Sequence, residues 1–537
     1  MLKGIGASQG YGIGNAVIIR DINLDYSAVK YSTAEKEKAR LRKAVDEYIA
    51  ETDALTQELK KNAGDHEAEI LQGHIVMLQD PFMLSQMEDN IDSGAVAEAG
   101  VDAVCNMFID VFSGADDQLT RQRASDVRDI RDSLLRLLLG VQSVDISAVP
   151  MGSILVAKDF TPSMTSQINK DNVVGIVTEI GGVTSHSAIL ARAMGIPAVL
   201  SVPNAVEKLI DGCELIVDGF KGKVIVEPSV DELSLYAGKQ RVFIEEKESL
   251  TEYFNREAVT RSGVKKKVYG NIGNPEDAQN VIQNGGEGIG LFRTEFLFMG
   301  RDSLPTEDEQ YEAYSTVARA MDGKEIIIRT LDIGGDKAID YLDIAKEDNP
   351  FLGHRGIRYC LDHPELFKTQ LRAILRAAVL GNIKIMFPLV TTVEEVRSAA
   401  AVVDECKTEL ANAGMRYADV QLGVMIETPS AALISDLMAK EVDFFSIGTN
   451  DLTGYTMAVD RGNTAVAHLY DAMQPSVLRA IEMTIKNGKA AGISVGMCGE
   501  AAADPELLPM LVEWGLDEFS VTPSSIPATK RSICQCK

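Results

Sequence analysis

The sequence predicts a multidomain α/β protein: a β/α domain interrupted by an inserted α-helical bundle, a polar helical linker, and a C-terminal (β/α)8 barrel. Three observations carry this reading. The chain has 537 residues, and at ordinary domain sizes that length implies about three or four domains. Two β-rich pieces, residues 1–20 and 141–227, flank a long stretch of helical pattern. From Lys266 onward, eight short apolar runs alternate with helical stretches, the mark of parallel β/α units closing into a barrel.

Taken in order, residues 1–20 alternate glycine with Ile5, Tyr11, Ile13 and the run Ala16–Ile19, which reads as one or two strands in need of a sheet. Ser32-Thr33-Ala34-Glu35 is a capping-box pattern, and Leu41, Val45, Tyr48, Leu55 and Leu59 follow it at helical spacing. Further helical segments span 66–79, 82–93, 95–113 and 117–139, broken at Asp80-Pro81, Ser93-Gly94 and Gly114. Residues 21–140 therefore read as a bundle. Strand signals return at Ser153–Ala157, Val173–Val177, Ala198–Leu200, Glu214–Val217 and Lys223–Val226, the last two joined by a hairpin turn at Asp218–Gly222. Residues 1–20 and 141–227 are thus expected to form one discontinuous domain. Residues 228–260, with Glu245-Glu246-Lys247-Glu248, read as a helical linker, and 261–537 as the barrel. The expected barrel strands are Val268–Asn271, Gly288–Leu291, Glu325–Ile328, Lys384–Phe387, Leu422–Met425, Phe444–Ile447, Ser494–Met497 and Glu518–Val521. An open doubly wound sheet is the alternative, but no GxGxxG follows the first of these strands.

Composition narrows the function. A net charge of −26 lacks the basic face that nucleic acid requires. No stretch has the ~20 uninterrupted apolar residues of a membrane helix, and Met1-Leu2-Lys3-Gly4 does not open a signal peptide, so a cytoplasmic protein without membrane insertion is expected. Seven cysteines without CxxC spacing fit a reducing compartment better than a disulfide framework.

Two places carry chemistry. Gly181-Gly182-Val183-Thr184-Ser185-His186 precedes the helical run Ala188–Arg192, which puts His186 near a helix N-terminus, where an anion is favoured and a neutral imidazole can attack a phosphoryl group. The same local sequence equally accommodates a histidine hydrogen-bonded inside an α/β turn. The second place is the set of strand ends, where active sites of β/α barrels lie. Arg293-Thr294-Glu295, Arg329 with Asp332, Glu427, Asn450-Asp451 with Arg461, and Cys498-Gly499-Glu500 each follow an apolar strand. Converging arginines imply a small, multiply anionic ligand. Glu427 and Asp451 offer the oxygen donors that magnesium takes together with substrate phosphate. A structural ring of Arg–carboxylate pairs is the competing reading for these residues. Cys498 is either a small buried hydrophobe or a proton donor to an enolate.

The glycine-flanked His186 motif, Gly290-Leu291-Phe292-Arg293-Thr294-Glu295-Phe296-Leu297-Phe298-Met299, Asp332-Ile333-Gly334-Gly335-Asp336-Lys337, Asn349-Pro350-Phe351-Leu352-Gly353 and Asp443–Thr453 together resemble the phosphoenolpyruvate–protein phosphotransferases, enzyme I of the bacterial sugar phosphotransferase system. The resemblance spans nearly the whole chain. It implies that Arg293, Arg329, Asn450, Asp451 and Arg461 contact phosphoenolpyruvate, that Glu427 and Asp451 hold magnesium, and that Cys498 protonates the enolate to give pyruvate. By the same resemblance His186 sits on a phosphohistidine swivelling domain, takes the phosphoryl group and passes it to a histidine of a small phosphocarrier protein docked on the helical insertion. A homodimer through the barrel domain is implied as well. Gly454 and Gly356 stand where the family commonly has glutamine and alanine, and its members typically continue some dozens of residues past the eighth strand. Dikinases and phosphoenolpyruvate synthases share such a histidine domain and barrel, but the first 150 residues offer no Gly-rich nucleotide loop.

Overall fold

The computed structural model describes residues 1–20, 24–62, 65–114, 118–141, 145–165, 167–182, 185–299, 301, 303–334, 339–342, 347–460, 463 and 465–537. The chain divides into two compact units, Met1–Glu246 and Lys247–Lys537.

In the first unit, β1 (Leu2–Lys3), β2 (Ile5–Ser8), β3 (Tyr11–Ile19), β4 (Ser153–Ala157), β5 (Val173–Thr178), β6 (Ala198–Leu200), β7 (Glu214–Asp218) and β8 (Lys223–Val226) build one sheet in the order β1-β8-β7-β3-β4-β5-β6-β2. β3 pairs in parallel with β4, Asn15 opposite Ser153 through Ile19 opposite Ala157, so strands far apart in sequence lie side by side. Every residue of β4 is buried, as expected of a central parallel strand covered on both faces. Between β3 and β4 run five helices, α1 (Ala34–Asn62), α2 (Asp65–Leu78), α3 (Pro81–Asp92), α4 (Ala97–Ser113) and α5 (Gln118–Leu139). Their apolar faces meet in a core that includes Leu41, Val45, Tyr48, Met87, Ile91, Val101, Ile130 and Leu134. Asp80 caps α3 through a hydrogen bond from Phe82 N–H, with Pro81 at the first helical position, which is why the chain breaks and restarts there.

In the second unit, β10 (Lys265–Ile272), β11 (Gly288–Arg293), β12 (Glu325–Arg329), β13 (Asn382–Phe387), β14 (Gln421–Ile426), β15 (Phe444–Ile447), β16 (Ser494–Met497) and β17 (Glu518–Val521) are all parallel, and β10 pairs with both β11 and β17, which closes the barrel. All eight strands coincide with the apolar runs seen in the sequence, and the closed form displaces the open-sheet alternative. The short strand β9 (Ala258–Val259), within the stretch read as linker, pairs antiparallel with Lys265 and Lys266. Ala258 is fully buried in the shell between barrel and helices. A second, smaller cluster of Leu291, Ile327, Met386, Met425, Phe444 and Cys498 is contributed by strand positions on the opposite face, inside the barrel.

The start of this unit is tied to its end by one lysine. Lys530, buried on the last helix Ile526–Gln535, donates to Gly285 O at 2.6 Å and Phe254 O at 3.2 Å. Gly285 has φ +77°, and a Cβ there would stand 1.7 Å from Phe254 O. Gly285→Ala is therefore expected to cost about 3 kcal/mol, from left-handed strain and overpacking together, read as a lower urea midpoint for unfolding of the barrel.

Candidate active site at the barrel mouth

The C-terminal strand ends bring charges from distant parts of the sequence into contact. Arg329 closes β12 and is buried. Its guanidinium bonds the Glu295 carboxylate and reaches Asp332 at 3.1 Å and Met425 Sδ at 3.8 Å. Burial alone would lower the Arg329 pKa, but Glu295, Asp332 and Glu427 outweigh it and hold the group charged. Arg355 is bound still more completely. Its Nε and Nη2 donate to the two Asp332 oxygens at 2.9 and 3.0 Å, its Nη1 and Nη2 reach the two Asp451 oxygens at 3.3 and 3.2 Å, and Nη1 also donates to Tyr455 Oη at 3.3 Å. Such bidentate pairing is the geometry in which arginine recovers the cost of leaving water.

Arg293 differs. It is the last residue of β11, accessible to solvent, and its guanidinium has no hydrogen-bond or ion-pair partner among the described residues. The dense surroundings of its head group and then the positive charge of Arg329 pull its pKa down. A cation in that position is relieved by an anion.

Carboxylates stand at the same mouth. Glu427, directly after β14, is 1% exposed and accepts from Leu389 N–H at 2.6 Å. Burial first, then Asp451 and Asp332, push its pKa well above the usual carboxylate range in spite of Arg329 and Arg355. Asp451 and Asn450 stand in the first turn of the helix Thr449–Met457, whose position follows from β15. Asn450 exchanges hydrogen bonds with Glu500, donating to Oε1 at 3.4 Å and accepting from its N–H at 3.2 Å.

Cys498 follows β16 and is buried in the apolar barrel interior, its N–H donating to Ile447 O at 3.1 Å. Burial pushes the thiol up to about 11, a rise that the Ser446 hydroxyl beside it moderates. At neutral pH the group is therefore a protonated acid and not a thiolate nucleophile.

In the first unit, the helix His186–Met194 begins at His186, with Ser185 as N-cap accepting from Ala188 N–H at 3.4 Å. Buried Ser187 donates to Asp159 at 3.1 Å and Arg192 donates to Ala7 O at 3.0 Å, which fastens the helix to the sheet. The backbone thus places residue 186 at the first helical position. The His186 side chain and the whole of Arg461 lie outside the described residues.

The strand-end rule found Arg293, Arg329, Glu427, Asn450, Asp451 and Cys498, but not Arg355. That residue belongs to the long connection between β12 and β13, and its only sequence signal is the neighbouring Asn349–Gly353 motif. Gln370 was missed as well. It accepts from Leu331 N–H at 2.9 Å and donates to Thr294 Oγ1 at 3.1 Å, beneath the hydrogen bond from Thr294 to Arg329 O. Arg355→Ala takes from the buried Asp332 a guanidinium that donates to both its oxygens and is expected to cost about 3–5 kcal/mol. Much of that loss should return in the Arg355→Ala, Asp332→Ala double variant, measured by urea unfolding.

Comparison with known proteins bears on the same residues. Residues 247–537 match the PEP-binding domain of PEP-utilising enzymes, 3–123 their N-terminal domain, and 149–222 their mobile domain. The chain is 44% identical over 536 residues to the phosphoenolpyruvate-protein phosphotransferase of Priestia megaterium, covering 99% of this chain and 94% of the relative. It is 43% identical over 534 residues to that of Bacillus subtilis, with 99% and 94% covered, and 44% identical over 534 residues to that of Listeria monocytogenes, with 99% and 93% covered. With identity of this level along nearly its whole length, the chain belongs to the phosphoenolpyruvate–protein phosphotransferase family.

Proposed function

We propose that the chain transfers the phosphoryl group of phosphoenolpyruvate to its own His186 and then to a histidine of a small phosphocarrier protein, releasing pyruvate, as the first step of sugar uptake by the phosphotransferase system. The observation that carries this reading is the contrast at the mouth. Arg329 and Arg355 are paired with carboxylates, whereas Arg293, at the end of β11, has no such partner among the described residues, and Glu427 and Asp451 stand at other strand ends of the same mouth.

In this reading Arg293 takes an oxygen of the substrate's phosphate or carboxylate. Arg329, held by Glu295 and Asp332, keeps a fixed positive charge behind it, and Asn450 and Arg461 contribute further polar contacts. Positioning and charge stabilisation are what phosphoryl transfer chiefly demands, because the transition state is loose and its charge is spread over the equatorial oxygens. Glu427 and Asp451 are the residues that would hold magnesium. Among the described residues no group of three donor side chains forms a metal site, and a pair of carboxylates completed by water and substrate oxygens suits this ion. The raised Glu427 pKa, caused first by burial and then by Asp451 and Asp332, fits as well. When bound, magnesium would neutralise charge on the phosphate. Cys498, held protonated by its apolar surroundings, delivers its proton to C3 of the enolate, and pyruvate leaves.

His186 supplies the acceptor nitrogen at a helix N-terminus, where the unsatisfied N–H groups favour a phosphoryl anion. The mobile-domain match and the family membership support its role as a carrier between the two reactions. Docking of the phosphocarrier on the helical bundle and pairing of two chains through the barrel are carried by the family resemblance. No helix among the described residues is long and apolar enough to cross a membrane.

Incubation with phosphate-labelled phosphoenolpyruvate and magnesium is expected to give an acid-labile, base-stable label on the protein. Label that persists in His186→Ala would overturn the assignment. In Glu427→Gln the labelling rate should fall by about a hundredfold or more and lose its response to added magnesium, as followed by rapid-quench measurement over a magnesium series.

A further inference from the structure

Below Cys498 the barrel interior contains two buried polar groups that the mechanism above leaves without work. Ser446 Oγ and Glu518 Oε1 are both buried, and neither has a partner meeting ordinary hydrogen-bond geometry. Leaving such groups unmade costs about 1–3 kcal/mol each, so their retention calls for a reason.

Strand register puts them in one layer. Ser446 on β15 stands opposite Gly496 on β16, Gly496 opposite Glu518 on β17, and Glu518 opposite Lys267 on β10. The missing side chain of Gly496 makes the space between them: a Cβ there would lie 2.8 Å from Glu518 Oε2. A Cβ on Gly290 from β11 would lie 2.2 Å from Glu518 Oε1. The carboxyl therefore fills the room that two glycines leave, with Oε1 on the Gly290 side and Oε2 on the side of Gly496, the residue that stands between Glu518 and Ser446. Ser446 in turn lies beside the Cys498 thiol, whose ionisation it favours, and Cys498 also feels the charge of Glu518.

We propose that Ser446 and Glu518 form a proton relay that recharges Cys498 from inside the barrel. The inference rests on Cys498 as the acid of the reaction. The steps balance as follows. The Cys498 S–H bond breaks as the C3–H bond of pyruvate forms, which leaves a thiolate. Once side-chain rotation closes the gap left at Gly496, the Ser446 hydroxyl proton passes to sulfur while the Glu518 carboxyl proton passes to the Ser446 oxygen. Glu518, now a carboxylate, regains a proton from water at the strand-start end of the barrel, where Lys267 is about half exposed.

The acidities run in the required direction. Burial pushes Glu518 up to about 8, so that at neutral pH its carboxyl holds a proton, and burial pushes Cys498 up to about 11, so that a thiolate there is the stronger base. The groups facing Glu518 are Glu325 and Asp517, which favour its neutral form, and Lys267 and Lys384, which stabilise the carboxylate once the proton has gone. Tyr269 and Cys498 share its field. Lys384 and Lys267 also pair with Glu325, at 2.8 and 3.4 Å, so the base of the barrel stays charge-balanced through the cycle.

The test is multiple-turnover pyruvate formation in the full chain with carrier protein present, in Glu518→Gln and separately in Ser446→Ala, each checked for an unchanged thermal melt. Gln keeps the size and neutrality of the buried acid, so it preserves a structural role and removes only the proton. The relay predicts a first turnover at the wild-type rate, a burst of one pyruvate per active site, then a steady state slower by about tenfold or more, with an enlarged solvent deuterium effect on the slow phase. An unchanged steady state overturns the relay, and so does a first turnover slowed as much as later ones. Should one variant fold poorly, the other decides. A burst that survives in Cys498→Ser would overturn the role of Cys498 itself and the relay with it, an outcome separate from failure of the relay alone.

Discussion

One carboxylate ties the mouth of the barrel together. Asp332 is fully buried and lies between two guanidinium groups, Arg329 at 3.1 Å and Arg355 at 2.9 and 3.0 Å. Burying a lone carboxylate is too costly to persist, and two arginines offset that cost only if each is held in place. Arg329 is held by Glu295 from the turn after β11, and Arg355 by Asp451 from the helix after β15. Three connections that are far apart in sequence are thereby locked to one another. With two arginines committed, Arg293 remains, among the described residues, an arginine without a carboxylate partner at the same rim.

The division between a charged rim and an uncharged interior follows from the same physics. At the rim, opposite charges lie close enough to hold Arg329 and Arg355 ionised against burial, while at Glu427 burial, helped by Asp451 and Asp332, outweighs Arg329 and Arg355 and drives the carboxyl toward its neutral form. Below the rim, nothing of opposite sign faces Cys498 closely enough to overcome desolvation, and the thiol keeps its proton. In the proposed reaction this division suits an anion held at the charged rim and a proton supplied from the apolar interior.

Much of this architecture was legible in the chain. The barrel strands stood out because parallel strands buried on both faces read as unbroken apolar runs, and the helical bundle because its caps and 3.6-residue periodicity are local properties. The rim was legible because charged residues directly after such runs are costly without partners. Of the two readings of that rim, an anion clamp and a ring of Arg–carboxylate pairs, the ring accounts for some of the arginines and not for others. Arg329 and Arg355 belong to the ring, and Arg293 does not. Arg355 escaped notice because it comes from the middle of a long connection, where no periodic pattern announces which side chain folds back.

The sequence by itself determined the kinds of element and their order, the charged residues that follow the barrel strands, the helix start near His186, and the family. Each of these depends on neighbours within a few residues or on motifs read as they stand. Only the tertiary structure decided which arginine is left open, that Glu427 is crowded by Asp451 and Asp332, and that Glu518 fills the space left by Gly290 and Gly496. Protonation and pairing are set by desolvation and by charges a few ångströms away, and barrel closure brings those charges together from strands that the linear order keeps apart.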